Sequence, residues 1–362
     1  MGITKKFLAI LLVLGVTCGF LVTYFWVDIN SRRKYNIGMA VEYNDHAAAA
    51  WIAYQKGWFE ETGLNLTTFE SYATGPALAA AIARGDIQVA WLCVGPAILA
   101  YSRGIHIKLV AMTHEQGYSL VVNETHIHSV YDLEGKKIAA VREGSMVDIL
   151  LHKVIEMYSL ENVTILRMKP MDQINALKEK QVDAIAIPEH YVALAKSMGF
   201  HILIKSQDIW PHMPGSALFV KQELIDTSRE AVLKLVNLTV FSTSWLKAHK
   251  NEAAQILANK LKTTSDIILD SISRLNYTNE INETAIQEVI DYMAKLGYIS
   301  WFNASEIIDK SFLNQLEMQS TPSIMVSHSE LSPASFTFSL PYMIPQVLLI
   351  LTNKVRHHED RH

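Results

Sequence analysis

Between Tyr35 and Lys221 short apolar runs alternate with stretches of helical period, and this rhythm leaves few folds open. Strands are expected at Lys34–Val41, Leu64–Glu70, Gln88–Leu92 and His106–Met112, with helices at Ala47–Phe59, Pro76–Arg84 and Ala97–Arg103 between them. After an extended piece at Tyr118–Asn123 a second series begins. Its strands are Lys137–Val141, Val163–Met168, Ala184–Ile187 and His201–Lys205, and its helices are Met146–Tyr158, Met171–Lys178 and Tyr191–Gly199. Ser216–Lys221 is extended again, and from Thr227 to about Gly297 the pattern is helical throughout. Strands joined through helices pair side by side in parallel, and such sheets are covered on both faces. The expectation is an α/β protein of two lobes, each with a mainly parallel sheet, joined by two extended crossings around a hinged cleft.

The length suits this reading: 362 residues, half of them hydrophobic, provide for two lobes and exclude a disordered chain. A net charge of −4 carries no basic footprint, so no nucleic-acid partner is expected. Two cysteines, Cys18 and Cys93, with no C-x-x-C pair, exclude a disulfide framework, a zinc ribbon and thioredoxin-like chemistry. Gly-x-Gly-x-x-Gly, the Walker loop, His-Glu-x-x-His and Gly-x-Ser-x-Gly are all missing, which points away from an enzyme and from any cofactor or metal. His126, His128, His357, His358 and His362 read as solvated loop and tail.

The ends address the membrane. Lys5 and Lys6 precede Phe7–Val27, 21 residues without a charge, long enough as a helix to span about 30 Å of hydrocarbon. No small-x-small cleavage site follows, so residues 1–34 are expected to be a signal-anchor with a short linker. Cys18 lacks the flanking residues of a lipidation site. Seven N-x-S/T sequons begin at Asn65, Asn123, Asn162, Asn237, Asn276, Asn282 and Asn303, an excess that suits an extracytoplasmic, glycosylated body. Ser335–Leu351 is apolar but interrupted by Pro341 and Pro345; it is either a second membrane segment or a strap packed on the first lobe.

Four motifs in order carry a family resemblance. They are Ala53-Tyr54-Gln55-Lys56-Gly57-Trp58-Phe59 with Gly63-Leu64, and Ala81 to Ala90 around Gly85. Asp132-Leu133-Glu134-Gly135-Lys136-Lys137-Ile138-Ala139 with Glu143-Gly144-Ser145, and Gln181-Val182-Asp183-Ala184-Ile185, complete the set. Together they resemble the periplasmic solute-binding proteins of the nitrate, sulfonate, taurine and thiamine-precursor group. The resemblance implies a type II periplasmic-binding-protein fold. Lobe one would hold residues 35–118 and 221–301, and lobe two residues 119–220. The hinge strands would be Ser119–Asn123 and Ala217–Lys221, and residues 302–362 a tail. It implies a non-catalytic component of an ABC importer that closes on a small organic anion, zwitterion or heterocycle. Its partners would be a permease and an ATPase subunit. The alternatives are a ligand-sensing receptor ectodomain and a same-fold biosynthetic enzyme; the pyrimidine synthases of this fold use clustered cysteines, absent here.

Ligands of open α/β sheets sit beyond the carboxyl ends of strands, where helix N-termini present amide N–H groups. That rule selects the candidates. Asn44, Asp45 and His46 lead into the first helix, and Thr74 and Gly75 into the second. Cys93 and Gly95 follow a strand, as do Glu115 and Gln116. Gly144 and Ser145, the family's Gly-Ser pair, open the Met146 helix. Glu189 and His190 stand beside Pro188 in a loop similar to one that contacts ligand in the family, with the residue order reversed. Trp210 lies in the loop before the return crossing and offers a ring for stacking. Glu42, Asp45, Glu115, Glu143 and Glu189 face Arg142 alone among basic residues of these loops, which favours a zwitterion or an amine-bearing heterocycle over a bare oxyanion.

Overall fold

The alternation in the sequence becomes two five-stranded sheets in the computed structural model, which describes residues 35–320 apart from Asp86, Glu124 and Thr125. The anchor expected over residues 1–34 and the apolar stretch 335–351 lie outside the described residues. Among the described residues no helix is long and apolar enough to cross a membrane.

Sheet one contains β1 (Tyr35–Glu42), β2 (Leu64–Tyr72), β3 (Val89–Cys93), β4 (Ile107–Met112) and β10 (Ser216–Lys221), in the order β2-β1-β3-β10-β4. Sheet two contains β5 (Tyr118–Val122), β6 (Lys137–Ala140), β7 (Thr164–Arg167), β8 (Ala184–Pro188) and β9 (His201–Lys205), in the order β7-β6-β8-β5-β9. Neither sheet is as uniformly parallel as the sequence suggests. β1 runs parallel to β2 and β3, but β10 is antiparallel to both β3 and β4. Likewise β6 is parallel to β7 and β8, whereas β5 is antiparallel to β8 and β9. Each sheet is therefore mixed, and in each the reversed strand is one that crosses between the halves and enters from the opposite end.

The helices follow the sequence with instructive shifts. The stretch expected as one helix is α1 (Ala48–Lys56) and α2 (Trp58–Glu61), broken at Gly57, whose φ of +74° a side chain would resist. α3 (Gly75–Arg84) carries Pro76 in its first turn, where a missing N–H costs nothing. α4 (Val94–Ser102) starts three residues before the expected Ala97, because Pro96 still falls among the first-turn positions that lack a hydrogen-bond acceptor. α5 (Met146–Met157), α6 (Pro170–Lys178) and α7 (Glu189–Ser197) flank sheet two. α8 (Ser206–Ile209) and α9 (Gln222–Thr227) flank β10, and the helical run comprises α10 (Arg229–Ala248), α11 (Lys250–Leu261), α12 (Ser265–Ile272) and α13 (Glu283–Lys295).

Sheet one buries Met39, Val41, Trp91, Leu218 and Val220 together with Ile52 of α1 and Leu235 of α10 in one apolar cluster. Sheet two buries Val121, Ala139, Ile185 and Ile187 with Ile174 of α6 and Val192 of α7. A third cluster runs between the halves through Leu92, Ile98, Met146, Ile149 and Val289. Beyond residue 302, where the sequence suggests a tail, the chain still packs. Leu109 donates to the Ile307 carbonyl (2.7 Å) and accepts from Asp309 (2.9 Å), so the exposed edge of β4 is covered. α14 (Ser311–Ser320) follows and buries Phe312 completely. Where the halves meet, Glu115 forms bridges with both Pro214 and Asn276, so three chain segments lie side by side.

Candidate functional site

The parallel strands of both sheets end toward one another, and a cavity of about 30 Å³ lies between those ends. From sheet one it is lined by Glu42, the last residue of β1, and Asn44 beyond it, by Ala73–Gly75 after β2, and by Cys93, the last residue of β3, with Pro96. From sheet two come Val141 and Ser145–Val147 after β6, Pro170 after β7, and Pro188 with Tyr191 after β8; Tyr118 closes the floor. None of these lining residues is basic.

The floor is a hydrogen-bonded set centred on Glu42. Its carboxyl accepts from Asn44 Nδ2 (3.0 Å), from the Cys93 amide (3.3 Å) and from the Cys93 thiol (2.9 Å). Cys93 Sγ in turn accepts from Ser216 Oγ (3.2 Å) and lies 3.3 Å from the Tyr118 hydroxyl. Gly75 is required here, since a Cβ would stand 2.1 Å from Glu42 Oε1. Burial raises the Glu42 carboxyl above the usual range, and burial with the adjacent Glu42 holds Cys93 as a thiol well above its own. The thiol is a donor here, not a nucleophile. On the rim, Ser145 Oγ caps α5 by accepting from Asp148 N (3.4 Å), whereas Thr74, at the N-cap of α3, makes no side-chain cap bond.

A second buried layer lies behind this floor. The rings of His46 and His114 are 4.1 Å apart; His46 Nε2 meets the Gly117 carbonyl (3.2 Å), and His114 Nε2 accepts from Ser216 N (3.1 Å). Burial lowers His46 strongly, His114 to about 4 and His190 to about 3, so these imidazoles are neutral. Asp45 accepts from the Ser271 hydroxyl, and its backbone carbonyl from Tyr277 Oη (3.2 Å). Asp45 is pushed up to about 6 by burial. From the second half, Glu189 pairs with Arg274, which also bonds Asp270 (2.6 Å), and Lys196 joins Asp270 at 2.9 Å. Burial outweighs the guanidinium and raises Glu189 to about 7.

The sequence-selected residues thus divide. Asn44, Thr74, Gly75, Cys93 and Ser145 line the cavity. Asp45, His46, Glu189 and His190 do not; they are buried one layer behind, Asp45 and His46 on the 3₁₀ turn after β1 (Asp45–Ala47), Glu189 and His190 in the first turn of α7. Glu115 and Gln116 stand at the crossing between the sheets, where Gln116 Nε2 bonds the Trp210 (3.1 Å) and Pro211 (2.5 Å) carbonyls. Trp210 is no stacking platform: it is 5% exposed, bonds Glu288 through Nε1 (2.7 Å) and packs edge-on against Tyr292. Gly95 and Gly144 touch each other instead of lining the cavity; a Cβ on Gly95 would stand 2.7 Å from the Gly144 carbonyl oxygen. Tyr118, Tyr191 and Met146 are among the lining residues that sequence reasoning missed. Tyr118 starts a strand and Tyr191 is the third residue of α7, positions the strand-end rule does not reach.

The sequence pattern of the NMT1-like family matches residues 32–261. A Bacillus subtilis (strain 168) protein named for binding aliphatic sulfonates is 24% identical over 278 residues, covering 73% of this chain and 83% of its own. Among solved structures, the ligand-binding component of an ABC-type import system from Staphylococcus aureus, determined with zinc bound, superposes with a TM-score of 0.71. Identity is 17%, and coverage is 78% of this chain and 99% of that one. The periplasmic nitrate-binding protein of Synechocystis PCC 6803 gives a TM-score of 0.70 at 13% identity, covering 79% and 89%. These likenesses show the fold, that of periplasmic binding proteins. Among the described residues no group of three or more His, Cys, Asp or Glu side chains is arranged to hold a metal ion.

Proposed function

The chain belongs to the NMT1-like family, and on that premise we propose that it is the solute-binding component of an ABC importer, tethered outside the cytoplasmic membrane through Phe7–Val27. The observation that carries this reading is the cavity itself: both halves contribute strand ends to it, and Glu42 forms its floor with no basic side chain in the lining. Residues 35–112 and 216–301, which carry sheet one, act as one lobe and 118–210, which carry sheet two, as the other. Bending falls on Thr113–Gly117 and Pro211–Gly215, just ahead of the expected hinge strands, because β5 and β10 are internal strands bonded on both sides. Gln116 and Gly117 already take left-handed conformations there (φ +65° and +88°). One water needs roughly 10–15 Å³, so a cavity of about 30 Å³ admits a solute only when the lobes part.

The ligand is an amine- or N–H-bearing heterocycle. Glu42 accepts from its donors, Thr74 and Ser145 meet it from opposite lobes, and Tyr118 and Tyr191 flank a flat ring. A bare oxyanion would meet a buried carboxyl with no compensating cation. Thermal-shift titration of the full chain against thiamine precursors, taurine, sulfonates, nitrate and bicarbonate tests this. An amine-bearing heterocycle at 100 times its Kd is expected to stabilise by about 2.7 kcal/mol, with no response to nitrate or bicarbonate. Glu42→Gln keeps the volume and weakens that ligand about tenfold, the loss of one hydrogen bond to a charged group. Tight binding of nitrate or a simple sulfonate, indifferent to Glu42→Gln, would exclude this ligand class. Turnover of the bound ligand would exclude the binding-protein reading itself.

A further inference from the structure

A much larger recess adjoins the small cavity. It holds about 790 Å³ and is bordered by Pro76 and Ala79 of α3, Leu99 of α4 and Arg103 just past its end, Arg142 and Glu143 of the loop after β6, and Tyr298. Pro96 lines both spaces, and the Thr74–Gly75 lip of the cavity continues directly into Pro76 of the groove. Between them Gly95 meets the Gly144 carbonyl, with Leu99 beside Gly144 and Met146 Sδ 3.1 Å from Gly95 N. That partition is built from opposite lobes, so parting the lobes merges cavity and groove into one cleft.

The two ends of the merged cleft differ in charge. At the inner end stands the Glu42 carboxyl. In the groove are three guanidiniums: Arg167 is committed to Asp148, while Arg103 and Arg142 are exposed and make no ion pair among the described residues. Glu143 is the one carboxylate in the groove lining. Arg103 belongs to the first lobe and Arg142 to the second.

We propose that the solute is bipartite: its N–H-bearing head lies against Glu42, and an anionic group at its outer end lies in the groove against Arg103 and Arg142. This rests on the amine-bearing reading of the cavity and adds the second half of the molecule. The guanidinium fork suits a phosphate, sulfonate or carboxylate. Because the two arginines approach from different lobes, an anion between them favours closure as well as affinity, and a ligand lacking it gains neither.

Calorimetric titration of the full chain with amine-bearing heterocyclic alcohols and their phosphate monoesters tests the inference, with pyridoxamine and cytidine and their 5′-phosphates in the panel. The ester is expected to bind at least about tenfold more tightly than its alcohol, the value of one charge-assisted bond. Arg103→Gln and Arg142→Gln each reduce that preference toward unity while leaving the alcohol's affinity unchanged. Glu42→Gln weakens alcohol and ester alike. Equal binding of alcohol and ester, or a preference that survives both arginine substitutions, overturns the bipartite ligand while leaving the Glu42 reading intact. If no alcohol or ester binds, the amine-bearing reading falls and this inference with it.

Discussion

An alanine at position 95 is expected to hold the two lobes apart and to cost ligand affinity about 100-fold, without unfolding the protein. The added Cβ would stand 2.7 Å from the Gly144 carbonyl oxygen and 3.0 Å from both Met146 Sδ and Ile149 Cδ1, all in the opposite lobe. Two of those neighbours are side-chain ends that can turn aside; the carbonyl is backbone and cannot. Overpacking of this kind costs roughly 1–3 kcal/mol, and the upper figure equals about two decades of binding. The fold of each lobe has no reason to object. Gly95 is a first-turn residue of α4 without a left-handed φ, and alanine is the better helix former there. Solution scattering should therefore report a larger radius of gyration for Gly95→Ala than for the wild type, with circular dichroism unchanged. Wild-type affinity in this variant would mean that the Gly95–Gly144 contact is no part of the ligand-bound form.

The same contact shows where sequence reasoning reaches and where it stops. A glycine just after a strand signals that something approaches the backbone, and that much is readable. What approaches is a carbonyl 49 residues downstream, and no local pattern specifies it. The strands and most helices are legible because a period of two or of 3.6 survives in the order of the residues. Strand direction leaves no such trace: Ser216–Lys221 reads as a strand whether it runs with or against β3, and only the topology makes both sheets mixed.

The candidate site divides along the same line. Thr74, Gly75, Cys93 and Ser145 reach the cavity because each sits at a strand end or helix start, where the sequence carries punctuation. Glu42 stands one residue past the strand end expected at Val41 and is legible as charge near the cleft, but Asn44 Nδ2 and the Cys93 amide and thiol, which make it the floor, are not. Asp45, His46 and Gln116 have the right residue types in the right loops. Their partners, Ser271 and Tyr277 for Asp45, Gly117 for His46 and Trp210 for Gln116, are supplied by the crossing and by the helical run, and they turn these side chains inward. Trp210 follows the same logic, since Glu288 lies 78 residues away in sequence and 2.7 Å away in space.

Arg274→Ala is expected to destabilise the protein by roughly 3–5 kcal/mol at pH 8.5, the usual cost of removing one partner from a buried ion pair, and by up to about 2 kcal/mol less at pH 5.5, the most that one proton can contribute over the 1.5 pH units above 7. Arg274 reaches from just beyond α12 to Glu189 at the start of α7, so the pair spans the two lobes, and Glu189 is 2% exposed. Glu189 titrates near 7 in the folded chain, above its ordinary value of 4.5, because burial outweighs the guanidinium. A carboxyl with a raised folded pKa gives stability that is complete below its unfolded pKa and is lost as pH rises through the folded one. In the wild type that loss occupies the window from about 4.5 to about 7. Without Arg274 the folded pKa moves higher still, so the loss continues above pH 7, where the wild-type contribution has levelled off. The two proteins should therefore diverge most at pH 8.5. At pH 5.5 Glu189 is protonated in both folded states, and the gap shrinks to the lost Asp270 contact and packing. Denaturant unfolding of both proteins at the two pH values reads this directly. A gap of equal size at pH 5.5 and 8.5 would show that Glu189 is not the group left uncompensated, and that Arg274 contributes through Asp270 and packing alone.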